Sequence, residues 1–336
     1  MTLPIVSFEH LFRLSDEVGL FEHAELTVPR TAHGYCVDDV ARGLLVAARE
    51  PEPSDRLTDL TWLYLRFVID AQQGDGRFHN RRGPAREWED EPNLEDCWGR
   101  AIWGLGTAVG RAPALAELAL THFDISVHRR SPHPRAMAFA ALGAAEVLVA
   151  RPAHVGARAL LAHAAKLIGS PPADPRWCWP EPRLRYANAL LPEVLIAAGS
   201  LLGDARVQAG GLAMLGWLLD VETSGDHLSV TPDGGWALGE SRPGFDQQPI
   251  EVAALADACA RAFDLTGDRR WMDGVRRAAA WFLGDNDART ALLDPVSGGG
   301  CDGLEPNGRN ENQGAESTLA MISTFQQAHR MLAVAR

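Results

Sequence analysis

Apolar residues recur along the chain at intervals of three and four residues, which is the spacing of one face of an α-helix. Ile102, Leu105 and Val109 form one such stripe, and the period-two alternation that marks strands is sparse. The pattern predicts twelve helices, at 8–18, 39–49, 56–72, 96–110, 112–122, 134–150, 154–169, 187–202, 204–220, 249–266, 268–283 and 315–333.

The connections between these helices alternate between long and short. Six long loops precede the even-numbered helices, and we number them first to sixth: 20–38, 73–95, 123–133, 170–186, 221–248 and 284–314. Short turns follow those helices. At Gly203-Asp204 and Gly267-Asp268, glycine ends one helix and aspartate caps the next. The two turns recur about a sixth of the chain apart, which indicates a repeated helical hairpin.

Six helical hairpins with alternating loop lengths predict an all-α fold, a closed (α/α)6 toroid with six inner and six outer helices. The even-numbered helices are rich in Ala, Gly, Leu and Val, as expected of inner helices that are apolar nearly all round. No linker-like stretch interrupts the chain, so we expect one domain over residues 1–336. All six long loops would then emerge on one face, where inner helices begin and where sites are normally built.

Composition and charge limit the classes of function that the protein could have. The 336 residues are 46% hydrophobic and 23% charged, which is ample for a globular core, and the net charge of −12 argues against nucleic acid as a partner. Five scattered cysteines without a CxxC pair indicate free thiols, and neither a signal peptide nor a membrane span is evident. We therefore expect a cytoplasmic protein without a cofactor or metal site; a thiolate metal site is the less favoured alternative, and the oligomeric state is left open.

Acidic residues concentrate where the long loops meet the even-numbered helices. Asp38 and Asp39 lie at the start of the second helix, and Glu95 and Asp96 lie at the start of the fourth. Asp96 shares a helix face with Arg100, four residues on. Helix capping accounts for one acid at a helix start, but it does not readily account for two adjacent acids at the start of an interior helix. These positions, together with Glu316 at the start of the last helix, are candidate catalytic or substrate-binding sites.

The fourth loop combines Trp177 and Trp179 with Glu181. Aromatic faces stack on the C–H surface of a pyranose while acids bind its hydroxyls, so we expect a sugar contact here; the alternative is that the tryptophans close the rim. A basic third loop, with Arg129, could hold an anion or could simply be solvated. The other candidate substrate-binding residues lie in or just after the long loops: His33, Tyr35, His79, Trp98, Arg100, Arg185, Tyr186, Asn188, Asp246, Gln247, Gln248, Asp302, Asn312 and Gln313.

The motifs GYCVDDVARG, EDCWGRAIWGLG, WCWPEPRLRYANA, FDQQPIE and NQGAEST, together with the helical pattern, resemble the six-hairpin, (α/α)6 glycosidase-like superfamily across essentially the whole chain. Similarity to glucoamylase-type members implies that Glu181 and Glu316 are the catalytic pair. Similarity to unsaturated uronyl hydrolases implies Asp39 and Asp96 instead. Sugar epimerases of this superfamily depend on paired histidines.

The combined expectation is a glycoside hydrolase that acts on a short oligosaccharide, with one carboxylic acid protonating the leaving oxygen and one carboxylate activating water. The resemblance implies inversion at the anomeric carbon. A sugar phosphorylase or epimerase on the same barrel is the alternative enzyme, and His33 and His79 could then serve as the histidines. A non-catalytic carbohydrate-binding domain is the alternative from a different class.

Overall fold

A computed structural model describes residues 3–334, and over this range the protein is mostly helical. Its α-helices are α1 (Glu9–Arg13), α2 (Val37–Ala48), α3 (Asp55–Ala71), α4 (Asp96–Arg111), α5 (Ala116–Ser126), α6 (Pro134–Ala150), α7 (Val155–Ile168), α8 (Leu190–Leu202), α9 (Ala205–Val221), α10 (Pro249–Thr266), α11 (Arg269–Phe282) and α12 (Ala315–Val334). The twelve predicted helices are all present in this part of the chain, most of them within three residues of the expected bounds.

The chain folds into two compact units. The N-terminal unit comprises Leu11–Leu167 and Leu201–Gly203, and it contains α2 to α6 and nearly all of α7. The C-terminal unit comprises Ile168–Ser200, the chain from Asp204 onward and the residues up to His10. It contains α9 to α12 and most of α8. The single domain expected over residues 1–336 stays a prediction.

Short strands occur within the long loops. The antiparallel pairs are β1 (Ala24–Glu25) with β2 (Val28–Pro29), β3 (Tyr35–Cys36) with β4 (Arg81–Arg82), β5 (Thr223–Ser224) with β6 (His227–Leu228), and β7 (Gly303–Glu305) with β8 (Gly308–Asn310). Each strand has two or three residues, so these pairs order the loops and form no extended sheet. No helix among residues 3–334 is both long and apolar enough to span a bilayer.

The even-numbered and odd-numbered helices differ in burial as predicted. Helix α4 is buried without a break from Cys97 to Val109, and α6 is buried from Arg135 to Leu148. Helix α11 instead buries Trp271, Val275 and Phe282 along one side and exposes charged residues on the other. A helix that is apolar all round needs neighbours all round, whereas a one-sided helix lies at a surface.

Glycines let α4 and α6 pack backbone to backbone. A side chain at Gly99 would collide with the carbonyl oxygen of Ala136, and one at Gly106 would collide with that of Gly143. A Cβ at Gly143 would in turn meet the carbonyl of Ile102. This close contact explains why the buried helix α4 carries glycines, which weaken a helix in isolation.

The predicted Gly-Asp turns are confirmed. Gly203 and Gly267 adopt positive φ angles of 78° and 68°. Asp204 then accepts hydrogen bonds from the amides of Arg206 and Val207 at 3.0 and 3.2 Å, and Asp268 accepts one from Arg270 at 2.9 Å. Glycine without a Cβ turns the chain, and the carboxylate satisfies the free amides of the next helix.

Two predicted helices are wrong in extent. Helix α1 ends at Arg13 rather than at residue 18, because Asp16 accepts hydrogen bonds from the amides of Val18 and Gly19 and so forms a turn. Helix α5 begins at Ala116 rather than at residue 112. Ala112 precedes a proline, which disfavours helical backbone, and its φ and ψ of −119° and 85° are not helical.

Candidate functional site

Within each unit the long loops lie side by side. In the C-terminal unit the fourth loop pairs with the fifth through Leu184 and Trp236, with N–O distances of 2.7 and 3.2 Å. The fifth pairs with the sixth through Gln247 and Leu304, at 3.0 and 2.9 Å. In the N-terminal unit β3 of the first loop pairs with β4 of the second. Within each unit, therefore, the predicted gathering of long loops is confirmed.

Asp38 and Arg100, both predicted site residues, meet in the N-terminal unit. The Arg100 Nε atom lies 3.2 Å from Asp38 Oδ1, and the Arg100 side chain is 5% exposed. The guanidinium also stacks over the ring of Phe139, 3.9 Å from its centroid. Arg100 thereby links the N-terminal halves of α2, α4 and α6 and balances the charge of one of the two adjacent acids.

Asp39, the acid next to Asp38 in the sequence, forms an ion pair with a different arginine, Arg42. Its carboxylate accepts a hydrogen bond from Arg42 Nη1, and its side chain is 5% exposed. Glu22 is paired in the same way with Arg81. Carboxylates bound by guanidinium groups are fixed in position by charge-assisted hydrogen bonds. These acids therefore suit the orientation of a site.

Glu22, Cys36 and Asp39 could, by their spacing, hold a metal ion, since one ligand atom from each lies within 4.8 Å of the others. Arginines already bind both carboxylates. Burial raises the pKa of the Cys36 thiol well above its usual range, and the nearby acids raise it further. A neutral thiol and two occupied carboxylates make a poor cation site.

His79 is positioned by the second loop. Its ring stacks on Trp88, with centroids 5.2 Å apart, and its Nδ1 lies 2.7 Å from the carbonyl oxygen of Asp90. In the tautomer that donates from Nδ1, the Nε2 atom carries the lone pair and can accept a proton. His33 lies apart in a short exposed 3-10 helix, where its ring meets that of His23 at 5.3 Å.

Tyr35 and Trp98 lie inside the N-terminal unit. Tyr35 is 3% exposed and donates a hydrogen bond from its hydroxyl to Asp16 Oδ2 at 2.7 Å. Burial, reinforced by the Asp16 carboxylate, raises the pKa of Tyr35 above its usual range. Trp98 is 0% exposed. These positions favour structural support over the substrate contact that the sequence indicated, because neither side chain reaches the loop surface.

Glu95 and Asp96 mark the start of α4. Glu95 is the N-cap residue, is exposed, and donates its backbone N–H to Asn93 Oδ1 at 2.9 Å. Asp96 begins the helix and is partly exposed. A carboxylate in the first turn is stabilised by the positive end of the helix dipole.

An aromatic cluster supports the fourth loop in the C-terminal unit. The Trp177 ring lies 5.3 Å from both Trp217 and Trp236, and Trp179 stacks on Trp217 at 6.1 Å. Trp177 Nε1 donates a hydrogen bond to the backbone oxygen of Glu181 at 2.8 Å. Trp177 and Trp179 are 8% and 1% exposed, so they hold the segment that carries Glu181 more than they present open faces.

Glu251, which the sequence analysis did not single out, organises the end of the fourth loop. Its buried carboxylate accepts hydrogen bonds from the amide of Ala187 and, at 3.1 Å, from both nitrogens of Asn188. Asn188 is 0% exposed, whereas Arg185 and Tyr186 stand exposed on the turn. Glu251 follows Pro249 in the first turn of α10, so its position matches that of the other helix-start acids.

The predicted site residues of the FDQQ motif, residues 245–248, differ in burial. Gln247 is 0% exposed, and its amide makes hydrogen bonds with Val230 N, Trp281 Nε1, Gly244 O and Asp287 Oδ2. A buried amide that makes these four internal bonds supports the loop. Asp246 is exposed and Gln248 is partly exposed at the start of α10, which leaves these two able to meet a ligand.

The sixth loop is ordered by a polar network. Gln313 is buried; its Nε2 donates to Asp294 Oδ2 at 2.9 Å, and its Oε1 accepts from Ser297 Oγ at 2.6 Å. Burial works against ionisation of Asp294, but bonds from Gln313, Val296 and Ser297 outweigh it and lower the pKa to about 2. Asp302 Oδ1 accepts from Gly314 N at 2.7 Å. Asn312 and Glu316 are partly exposed next to this network.

Glu222 is a further buried acid that the sequence analysis missed. It is 1% exposed and accepts hydrogen bonds from Thr231 N and Oγ1 at 3.2 and 2.7 Å. Burial raises the pKa of Glu222, although the bonds from Thr231 oppose this shift. No sequence signal distinguishes this residue from a surface acid at a helix end.

No protein-family model matches the chain, and no curated protein sequence matches it. Solved structures do match. A sugar epimerase from a ruminal bacterium superposes with a TM-score of 0.74 at 10% identity, covering 97% of this chain and 95% of that one. Cellobiose 2-epimerase from Spirochaeta thermophila gives 0.70 at 12% identity, with 97% and 93% covered.

A GH76 α-mannanase from Bacteroides thetaiotaomicron gives a TM-score of 0.65 at 10% identity, with 97% of this chain and 95% of that one covered. These neighbours are (α/α)6 barrels. The protein has the (α/α)6 fold. The predicted fold class is therefore confirmed over nearly the whole chain.

Proposed function

We propose that the protein is a carbohydrate-active enzyme that hydrolyses a glycosidic bond in a short oligosaccharide. The observation that carries the proposal is the pairing of the fourth, fifth and sixth loops through Leu184, Trp236, Gln247 and Leu304. This pairing supports a common site for Glu181 of the fourth loop and the first turn of α12. Glycosidases and sugar epimerases among the structural neighbours support a sugar substrate.

Glu181 and Glu316 are the proposed catalytic pair. Glu316 lies at the positive end of α12, which stabilises a carboxylate and suits the base that activates water. Glu181, whose backbone is held by Trp177, is then the acid that protonates the leaving oxygen. The proposed outcome is inversion, which requires the two carboxyl groups to be about 6.5–9.5 Å apart.

Asp39 and Asp96 form the other pair that the sequence indicated. Asp39 is bound by Arg42, so protonation of its carboxylate would leave a partly buried arginine without this counterion. This cost counts against Asp39 as the group that exchanges a proton. The proposed substrate contacts in the same unit are the predicted residues that keep exposed surface: Arg185, Tyr186, Asp246, Gln248, Asp302 and Asn312.

We also propose a cytoplasmic location. All five cysteines are free, which is typical of a reducing compartment.

Proton NMR of anomeric signals tests the proposed reaction. The full chain is incubated with a panel of oligosaccharides, with and without phosphate, in D₂O. We expect a product of inverted configuration without phosphate. A strict need for phosphate would instead identify a phosphorylase, and ligand-induced shifts without turnover would identify a binding domain.

A sugar epimerase or isomerase is the second candidate, because His79 has the geometry of a fixed base. Its Nδ1 is held by the Asp90 carbonyl, and the ring is supported by Trp88. A base that removes a proton next to a carbonyl exchanges it with solvent. Deuterium at the sugar carbon, with the glycosidic bond intact, would support this candidate and contradict hydrolysis.

A further inference from the structure

Three side chains that commonly bind metals meet between the β5–β6 hairpin and the turn after α11. Asp226 and His227 belong to the hairpin, and Asp285 follows α11. One ligand atom from each lies within 4.8 Å of the others. Ligands about 2.1 Å from a zinc ion lie within about 4.2 Å of one another, so a small side-chain adjustment would bring all three onto one ion.

The imidazole of His227 is oriented for this role. Its Nε2 lies 2.9 Å from Asp287 Oδ1, while its Nδ1 lies 3.6 Å from Asp226 Oδ1. Asp287 is itself held by Gln247 Nε2 at 2.5 Å. When Nε2 donates its proton to Asp287, the lone pair is on Nδ1, which faces Asp226. A carboxylate behind the imidazole is the usual support of a metal-binding histidine.

The charge around this cluster differs from that around Glu22, Cys36 and Asp39. There, arginines bind both carboxylates. Among residues 3–334, neither Asp226 nor Asp285 forms an ion pair with an arginine or lysine. Arg277, which projects from α11 toward the hairpin, donates to Thr223 Oγ1 at 3.3 Å instead. Two carboxylates without an arginine or lysine partner, beside one oriented imidazole, leave a local negative charge that a divalent cation would neutralise.

We propose that Asp226, His227 and Asp285 form a binding site for a divalent transition metal of the zinc type. One nitrogen and two carboxylate ligands suit zinc, whereas calcium and magnesium prefer oxygen alone. The ion fastens the hairpin of the fifth loop to the start of the sixth loop. The Asp226 side chain is 95% exposed, so the ion enters directly from solvent.

Calorimetric titration of the EDTA-stripped full chain with ZnCl₂ tests the site. We expect one equivalent of zinc to bind, with affinity at least about tenfold above that for Mg²⁺ or Ca²⁺. A binder of the folded state also raises the melting temperature, here by at least about 2 °C at saturating zinc. Failure to bind one equivalent would overturn the proposal, whatever the protein's activity on sugars.

Substitutions locate the ion. Asp226→Asn and Asp285→Asn should each weaken zinc binding by at least about tenfold, and Asp287→Asn should weaken it by about 10- to 100-fold. Asp233→Asn removes an exposed acid from the same loop outside the cluster and should leave the affinity unchanged. Wild-type affinity in the Asp226 and Asp285 variants, or loss of binding in Cys36→Ser, would contradict the assignment.

Discussion

Several buried or partly buried loop acids are held in different ways in the two units. In the N-terminal unit, Asp38 faces Arg100 and Asp39 faces Arg42. In the C-terminal unit, Glu251 accepts hydrogen bonds from the backbone amides of Ala187 and Asn188 and from the Asn188 side chain. Glu222 and Asp294 are likewise held by hydroxyl, amide and backbone N–H donors.

The two kinds of partner differ in their effect on the charge of the carboxylate. An arginine neutralises the acid that it binds, whereas neutral donors stabilise a carboxylate and leave its charge in place. Arginine pairs also occur in the C-terminal unit, at Glu193 with Arg261 and at the loop acids Glu240 and Glu311, so the contrast applies only to the acids named above.

The largest expected effect comes from removing an arginine. Arg100→Met should lower the free energy of unfolding by about 3–5 kcal/mol, because it leaves the Asp38 carboxylate without its partner. Adding Asp38→Asn should restore part of the loss, since the uncompensated charge is gone. Urea unfolding measures both variants. A loss below about 1 kcal/mol for Arg100→Met would show that the ion pair does not stabilise the N-terminal loops.

A smaller loss is expected when an acid held by neutral donors becomes an amide. Glu251→Gln should cost about 1–3 kcal/mol, because an NH₂ group replaces one of the acceptor oxygens that face Ala187 and Asn188. Glu305→Gln, at an exposed position, is the matched control and should change stability by less than about 0.5 kcal/mol. Equal losses of stability in the two variants would contradict the proposal that the Glu251 carboxylate holds the end of the fourth loop.

The smallest effect depends on pH. Asp294 has a folded pKa of about 2, below the unfolded value near 3.9. A depressed carboxyl pKa gives stability that is complete above the unfolded value and is lost as the pH falls through the folded value. Asp294→Asn should therefore cost about 1–2 kcal/mol at pH 7, and the difference from wild type should shrink between about pH 4 and pH 2. A difference that is independent of pH would contradict this account.

The helices were predictable because their signal is local. Apolar spacing and the Gly-Asp turns at Gly203 and Gly267 depend only on neighbouring residues, and the structure reproduces them. The glycines of α4 were visible in the sequence, but the packing contact that requires them was not. Gly99 and Gly106 are needed because the backbone of α6 lies against them, which is a contact between separate helices.

The acids at the helix starts could be located in the sequence, but the contacts that bear on their roles could not. The acids at the helix starts were recognisable, and Asp38 does meet Arg100. Whether a side chain faces a ligand or the interior depends on contacts across the fold, as Gln247 and Trp98 illustrate. The partnership of His227 with Asp287 joins segments distant in the chain, so no local pattern could predict it.

The turnover rates of the amide variants test the central claim, that Glu181 and Glu316 perform the chemistry. On the oligosaccharide identified by NMR, Glu181→Gln and Glu316→Gln should each lower kcat by about 10²–10⁴-fold with the fold intact. Asp96→Asn should lower it by less than about tenfold by the same measure. Near-wild-type rates for both glutamine variants, with Asp96→Asn inactive, would contradict the account and move the reaction to the acids of the N-terminal unit.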